Sequence, residues 1–207
     1  MKKAIFGYGG HAREVILFLK EEVDIFVDDD FSNDFLKPIS DFNPDKYEMM
    51  ICLGESNLRR KVKESLPKNT KYFSFVHPTA IISNDIVIGE GTYIGPYSIL
   101  TTNIKLGSHC ILNRGVQIGH DSVIGDFFSA MPGSIISGNC KIGDSVYLGS
   151  NSSVREKTKI TDDIIVGLNS GVVKNITESG TYVGVPAKRI KYAYIQFCKE
   201  LSLLFND

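Results

Sequence analysis

The chain has 207 residues, 43% of them hydrophobic and 23% charged, with a formal net charge of −1. Such a length and composition suit one or two domains with a real core. The near-zero charge excludes a whole-chain attraction to nucleic acid or anionic membrane, so any anionic ligand must be held by a local site. The opening MKKAIFGYGG breaks into glycine after three apolar residues and does not read as a secretory leader. No stretch approaches the ~20 apolar residues of a membrane span. Cys52, Cys110, Cys140 and Cys198 lack Cys-x-x-Cys spacing and histidine companions, which predicts reduced thiols in a cytoplasmic protein and no metal site.

Residues 1–75 read as strand 2–7, a glycine turn, helix 11–22, strands 23–28 and 49–53, helix 56–66 and strand 71–76. This is a small Rossmann-like α/β domain with a parallel sheet. The turn Gly7-Tyr8-Gly9-Gly10-His11-Ala12 joins an apolar strand to a helix, where backbone N–H groups and the helix dipole favour a phosphate. Asp28 and Asp29 end the second strand, where a ribose hydroxyl would be accepted. A purely structural tight turn would explain the glycines as well. About 75 residues supply only one mononucleotide-sized half, which suits a nucleotide-linked sugar better than NAD.

From Val76 an aliphatic residue recurs every six positions, through Ile82, Ile88, Ile94 and onward to Val172, with only Ala130 small. The following position is repeatedly glycine, as at Gly89, Gly119 and Gly149, which predicts corners needing permissive backbone angles. Four residues after each aliphatic comes a second, smaller inward residue, such as Ser98, Cys110 or Ser122. A six-residue period fits neither an amphipathic helix nor a hairpin meander; it fits a solenoid of short parallel strands with three walls per turn over residues 76–190. Phe128 beside Ala130 conserves core volume and supports the inward assignment. Cys110 and Cys140 fall on different walls and should not bond. Tyr194, Phe197, Leu201 and Leu204 then recur at helical spacing, predicting a capping helix over 191–207.

Of the four histidines, His120 is the one expected outward in mid-solenoid, at a corner and followed by Asp121. Imidazole titrates in the range a general base needs, and a neighbouring carboxylate favours its charged form. An outward histidine is also a common surface residue. His77 is expected to be structural, His109 to meet solvent or a neighbouring subunit, and His11 to belong to the phosphate turn. Asn113, one hexad before His120, is a candidate for the same cleft or simply a polar corner residue. Arg155, Lys157, Lys159, Lys174, Lys188, Arg189 and Lys191 make the C-terminal coils basic, either to neutralise ligand phosphates or as solubilising surface.

The GxGGH turn, the Asp-Asp after the second strand, Leu53-Gly54-Glu55-Ser56-Asn57, the Ile-Gly-His-Asp hexad and the closing Gly184-Val185-Pro186-Ala187-Lys188-Arg189 together resemble one family. It is the hexapeptide-repeat sugar acyltransferases, related to sialic acid O-acetyltransferase and to bacterial N-acetyltransferases of nucleotide-linked 4-amino-4,6-dideoxy sugars. The resemblance implies a left-handed parallel β-helix, a homotrimer, acetyl-CoA as co-substrate and no metal. It implies His120 as base with Asp121 behind it, and substrate contacts at Gly10, His11, Ala12, Asp28, Asp29, Gly54 and Asn113. Coenzyme contacts are implied at Ser150, Gly167, Leu168, Pro186 and Lys188, and at Ser129, where many relatives carry a second histidine. O-acetylation of a sugar hydroxyl and a non-catalytic scaffold are the alternatives to N-acetylation of an amino sugar. No nucleic acid or membrane partner is expected.

Overall fold

A computed structural model of the chain describes residues 1–190, so the expected capping helix lies outside the described residues. The N-terminal domain is a five-stranded parallel sheet of β1 (Lys2–Phe6), β2 (Asp24–Val27), β3 (Lys37–Pro38), β4 (Tyr47–Ile51) and β5 (Lys71–Tyr72), in the order β3-β2-β1-β4-β5. Helices α1 (Gly10–Leu19) and α2 (Ser56–Ser65) complete it. Alternation along β1 sends Ile5 to one face, with Ala12, Val15 and Met50, and sends Ala4 and Phe6 to the other, with Phe26, Met49 and Leu66. Two departures from the sequence reading have local causes. Helix α1 stops at Leu19 because Lys20 turns left-handed, with φ of 54°. The expected strand 71–76 divides, since Lys71–Tyr72 closes the first sheet while Phe75–Val76 opens the next domain.

From Phe75 the chain forms a left-handed parallel β-helix. Its first wall contains Tyr93–Ile94, Ile111–Leu112, Ser129–Ala130 and Tyr147–Leu148; its second contains Ile99–Leu100, Gln117–Ile118 and Ile135–Ile136; its third contains Lys105–Leu106, Val123–Ile124 and Lys141–Ile142. Both expected inward rows form the core, including Phe128 beside Ala130, and Cys110 and Cys140 are buried free thiols. The glycine rule needs a different physical reason. Positive φ falls two residues further on, at Tyr97, Asn103, His109, Gly115, Asp121 and Phe127 and so on every six residues. The repeated glycine is required by contact with the next coil: a Cβ on Gly119 would lie 2.5 Å from the Gly138 nitrogen.

The outer face of the first wall is where the two domains join. Tyr93 and Ile111 point outward from the prism yet are buried, packed with Ile5, Ala12 and Val15 of the first domain. His109 also lies here, contrary to expectation. It is 2% exposed, stacked on Phe127 at 5.2 Å and met edge-on by Tyr72, because the corner it occupies is covered by the N-terminal domain of its own chain.

Arg59 of α2 closes the seam and is completely buried. Its Nε donates to the His109 carbonyl at 2.8 Å, Nη1 to Leu53 at 2.5 Å, and Nη2 to the Phe127 carbonyl at 2.8 Å and Ser129 Oγ at 2.9 Å. Burial holds its guanidinium down to about 10. Among the described residues no helix is long and apolar enough to cross a membrane. Replacing Arg59 with methionine keeps the apolar stem but strands buried carbonyls, so Arg59→Met should cost about 3 kcal/mol or more in a denaturant titration.

Candidate active site

Two groups of candidate residues stand apart on the molecule. The first lies at the carboxyl ends of β1, β2 and β4, where the strand order reverses and open parallel sheets bind ligands. A cavity of about 250 Å³ there is lined by Gly7, Tyr8, Asp28, Phe31, Leu36 and Leu53. Gly9 and Gly10 lead into α1 beside it, offering free backbone N–H groups to an anion.

The structure separates the substrate residues expected here. Gly10 and Asp28 are exposed on this crest, but the Asp29 carboxylate accepts the Ser40 N–H at 3.0 Å and braces the loop. Ala12 is fully buried in the core and touches no ligand, because its position in α1 faces the β-helix. The Gly54 carbonyl accepts from Arg59 and from Ser129 Oγ, so this residue belongs to the seam. Both ring nitrogens of His11 are buried without a hydrogen-bond partner, and the ring packs edge-on to Tyr93 at 5.0 Å.

The second group lies on the edge between the second and third walls, opposite the wall that carries the N-terminal domain. His120 Nδ1 and Asp121 Oδ2 are 2.7 Å apart, with the side chains 55% and 45% exposed. Asn103, one coil earlier, donates from Nδ2 to the other carboxylate oxygen at 2.7 Å. Those bonds, from His120 first and then Asn103, hold the Asp121 carboxyl below the usual range. Asp85, one coil earlier again, accepts from Thr102 Oγ1 at 2.5 Å and from the Asn103 N–H at 2.9 Å. On the other side the imidazole lies over Gly138, where a Cβ would come within 2.6 Å of Nε2. The carboxylate therefore bonds Nδ1, and Nε2 is the nitrogen left for an outside partner.

Asn113 does not join this pair. One hexad is one wall, so it sits at the edge between the first and second walls, its Oδ1 accepting the Arg114 N–H at 2.8 Å. Ser150, Gly167 and Leu168 stack on that same edge, with Pro186 in the loop that follows Val183. Lys188 lies exposed in a terminal strand paired to Val183. Ser129 is corrected outright: it is fully buried, bonded to Arg59 and Gly54 beneath the N-terminal domain, and offers no hydroxyl to a coenzyme. The basic residues also divide. Arg155, Lys157 and Lys174 share the edge of His120, whereas Lys188 and Arg189 form the last strand of the first wall's sheet. Among the described residues no group of three acidic, histidine or cysteine side chains is placed to hold a metal.

Residues 85–120 match the family model described as bacterial transferase hexapeptide (six repeats). The chain is 25% identical over 170 residues to the GDP-perosamine N-acetyltransferase of Escherichia coli O157:H7, covering 73% of this chain and 77% of that protein. PerB from Caulobacter crescentus, solved in complex with CoA and GDP-perosamine, shares 25% identity and a TM-score of 0.82, covering 92% of this chain and 97% of that one. The acetyltransferase domain of PglB from Neisseria gonorrhoeae, solved with acetyl coenzyme A, has the same fold, with a TM-score of 0.80 at 24% identity over 91% of this chain and 98% of that one. The chain thus carries the hexapeptide repeat over residues 85–120 and is similar to GDP-perosamine N-acetyltransferase over most of its length. The likeness extends across both domains.

The seam yields a pH dependence. Burial, aided by the Arg59 charge, lowers His11 and His109 to about 4 from an unfolded value of 6.5. Folded pKa values below the unfolded ones mean that the unfolded chain binds more protons between these limits, so stability is full above pH 6.5 and is lost as pH falls toward 4. Thermal unfolding at pH 7 and pH 5 should show a clear drop in Tm. His109→Asn, which tolerates the φ of 55° at this position, should flatten that drop.

Proposed function

We propose that this protein transfers the acetyl group of acetyl-CoA to the amino group of a nucleotide-linked 4-amino-4,6-dideoxy sugar, in bacterial surface-glycan biosynthesis in the cytoplasm. The observation that carries the reading is the His120–Asp121 pair, exposed on a β-helix edge and bonded through Nδ1, in a chain that also bears a nucleotide-sized crest. The similarity to enzymes solved with CoA and GDP-perosamine supports both substrates.

The chemistry follows from that geometry. The neutral sugar amine attacks the thioester carbonyl carbon, and His120 Nε2 takes its proton as the N–C bond forms. The resulting oxyanion collapses, the C–S bond breaks, and the imidazolium returns the proton to the departing thiolate, leaving an N-acetyl sugar and CoA. Asp121 holds the imidazole with Nε2 outward and stabilises its charged form. Asn103 in turn fixes the carboxylate through the bond at 2.7 Å. No covalent enzyme intermediate is needed.

One subunit cannot assemble this site, because its prism separates His120 from its own N-terminal crest. We assign the missing half to a neighbour in a homotrimer. The second wall is the packing face: its outward row carries Ile81, Ile99 and Ile135 with uncharged Gln117 and Ser153, whereas the third wall sets Lys105, Lys141 and Lys159 among Val87 and Val123. A heterologous contact across the second wall brings the edge bearing Asn113, Ser150, Gly167 and Leu168 of one chain toward the edge bearing His120 of the next. Cyclic closure then makes three equivalent clefts.

His120→Ala should lower kcat at least ~10²-fold with acetyl-CoA binding nearly unchanged, measured by CoA release with a nucleotide amino sugar. The same assay with a hydroxy-sugar analogue gives no turnover if the amine is the acceptor. Light scattering of the active enzyme should give three chains of 22.9 kDa. The pair Ile99→Glu and Ile135→Glu should yield single folded chains with activity lost.

A further inference from the structure

The crest of the N-terminal sheet carries three aromatic rings that the core does not use. Phe31 and Phe35 are 70% and 64% exposed and Tyr8 is 41% exposed. They are grouped: Tyr8 and Phe35 meet edge-to-face at 5.7 Å, and Tyr8 and Phe31 line the cavity with Leu36 and Leu53. Burying a phenylalanine stabilises a fold, so two left in water within five residues mark a surface kept for a ligand.

Their loop is held by polar bonds and not by the rings. Asn33 Oδ1 accepts the Phe35 and Leu36 N–H groups at 2.9 and 3.0 Å, the Asn33 N–H donates to the Leu36 carbonyl, and Asp29 accepts from Ser40. The rings are thus presented on a prearranged loop, which lowers the ordering cost of binding. Around the cavity the groups run from the α1 N-terminus, suited to phosphate, to the Asp28 carboxylate, suited to a ribose diol, to the rings.

Resting on the nucleotide reading above, we propose that Phe31, Phe35 and Tyr8 form the nucleobase platform, and that the base is chosen by stacking area and not by hydrogen-bond readout. Among the described residues Asp28 is the one ionisable carboxylate lining the cavity, and it is taken by the ribose; Asp29 is engaged in the loop. Every base has a π face, so such a platform accepts all bases and holds purines more tightly than pyrimidines.

The test is calorimetric titration of the full-length protein with GDP, ADP, UDP and inorganic pyrophosphate. GDP and ADP should bind within about threefold of each other and UDP about tenfold more weakly. Phe31→Ala should weaken GDP about tenfold, leave pyrophosphate and acetyl-CoA binding unchanged, and leave the sedimentation mass unchanged, while Phe31→Trp retains the GDP affinity. The platform is overturned by a GDP affinity unchanged in both Phe31→Ala and Phe35→Ala while Asp28→Ala loses it, an outcome that leaves the nucleotide reading standing. More than tenfold discrimination between GDP and ADP overturns stacking as the selector. A changed mass in Phe31→Ala overturns it by making the rim a subunit contact. Failure of the unaltered protein to bind any nucleoside diphosphate removes the underlying reading and the platform together.

Discussion

A guanidinium with no carboxylate partner among the described residues sits between the two domains, and the arrangement of everything else depends on it. Arg59 spends its donors on carbonyls of its own domain at Leu53 and Gly54 and on those of the β-helix at His109 and Phe127. A buried charge with several directional acceptors is costly to misplace, so it sets how α2 sits on the first wall. Through Leu53 the same side chain is tied to the cavity at the crest of the N-terminal sheet. The orientation of that crest relative to the prism is therefore set by hydrogen bonds and not by apolar contact alone.

The prism supplies the second constraint. From Gly91 to Asn169 each corner has one residue with positive φ, and at corners such as those of Gly119 and Gly149 a glycine also lets the next coil approach. Asp121 is such a corner residue, with φ of 60°, and so is Asn103 one coil earlier, with φ of 51°. Stacked coils place corner side chains in a column, which explains how Asp85, Asn103 and Asp121 come to be bonded in line and how His120 is held above Gly138. The proposed base is thus positioned by the repeat itself, on rigid β-structure and not on a mobile loop.

Opposition of the two groups across the prism is the reason we propose a contribution from a second subunit. The first wall is occupied by the N-terminal domain, the third combines Val87 and Val123 with Lys105, Lys141 and Lys159, and the second carries Ile81, Ile99 and Ile135 with Gln117 and Ser153 between two edges that bear site candidates.

The architecture was legible in the sequence because a six-residue period is a local property: each hexad repeats the same inward pair, and the rows from Ile82 to Val172 could be read without knowing what surrounded them. The His120–Asp121 pair was legible for the same reason, since neighbours in sequence at an outward corner remain neighbours in space. What surrounds the prism was not local. His109, Ser129 and Asn113 occupy equivalent-looking outward positions, yet the first two are buried under α2 and its flanking loop while the third lies a wall away from His120. Arg59 reads as one more basic residue of an exposed helix, and Ala12 as part of a ligand fingerprint, until docking covers both. The docked face depends on contacts between residues some 50 to 75 positions apart, and no periodicity encodes which wall a folded neighbour will cover; only the tertiary structure decides it.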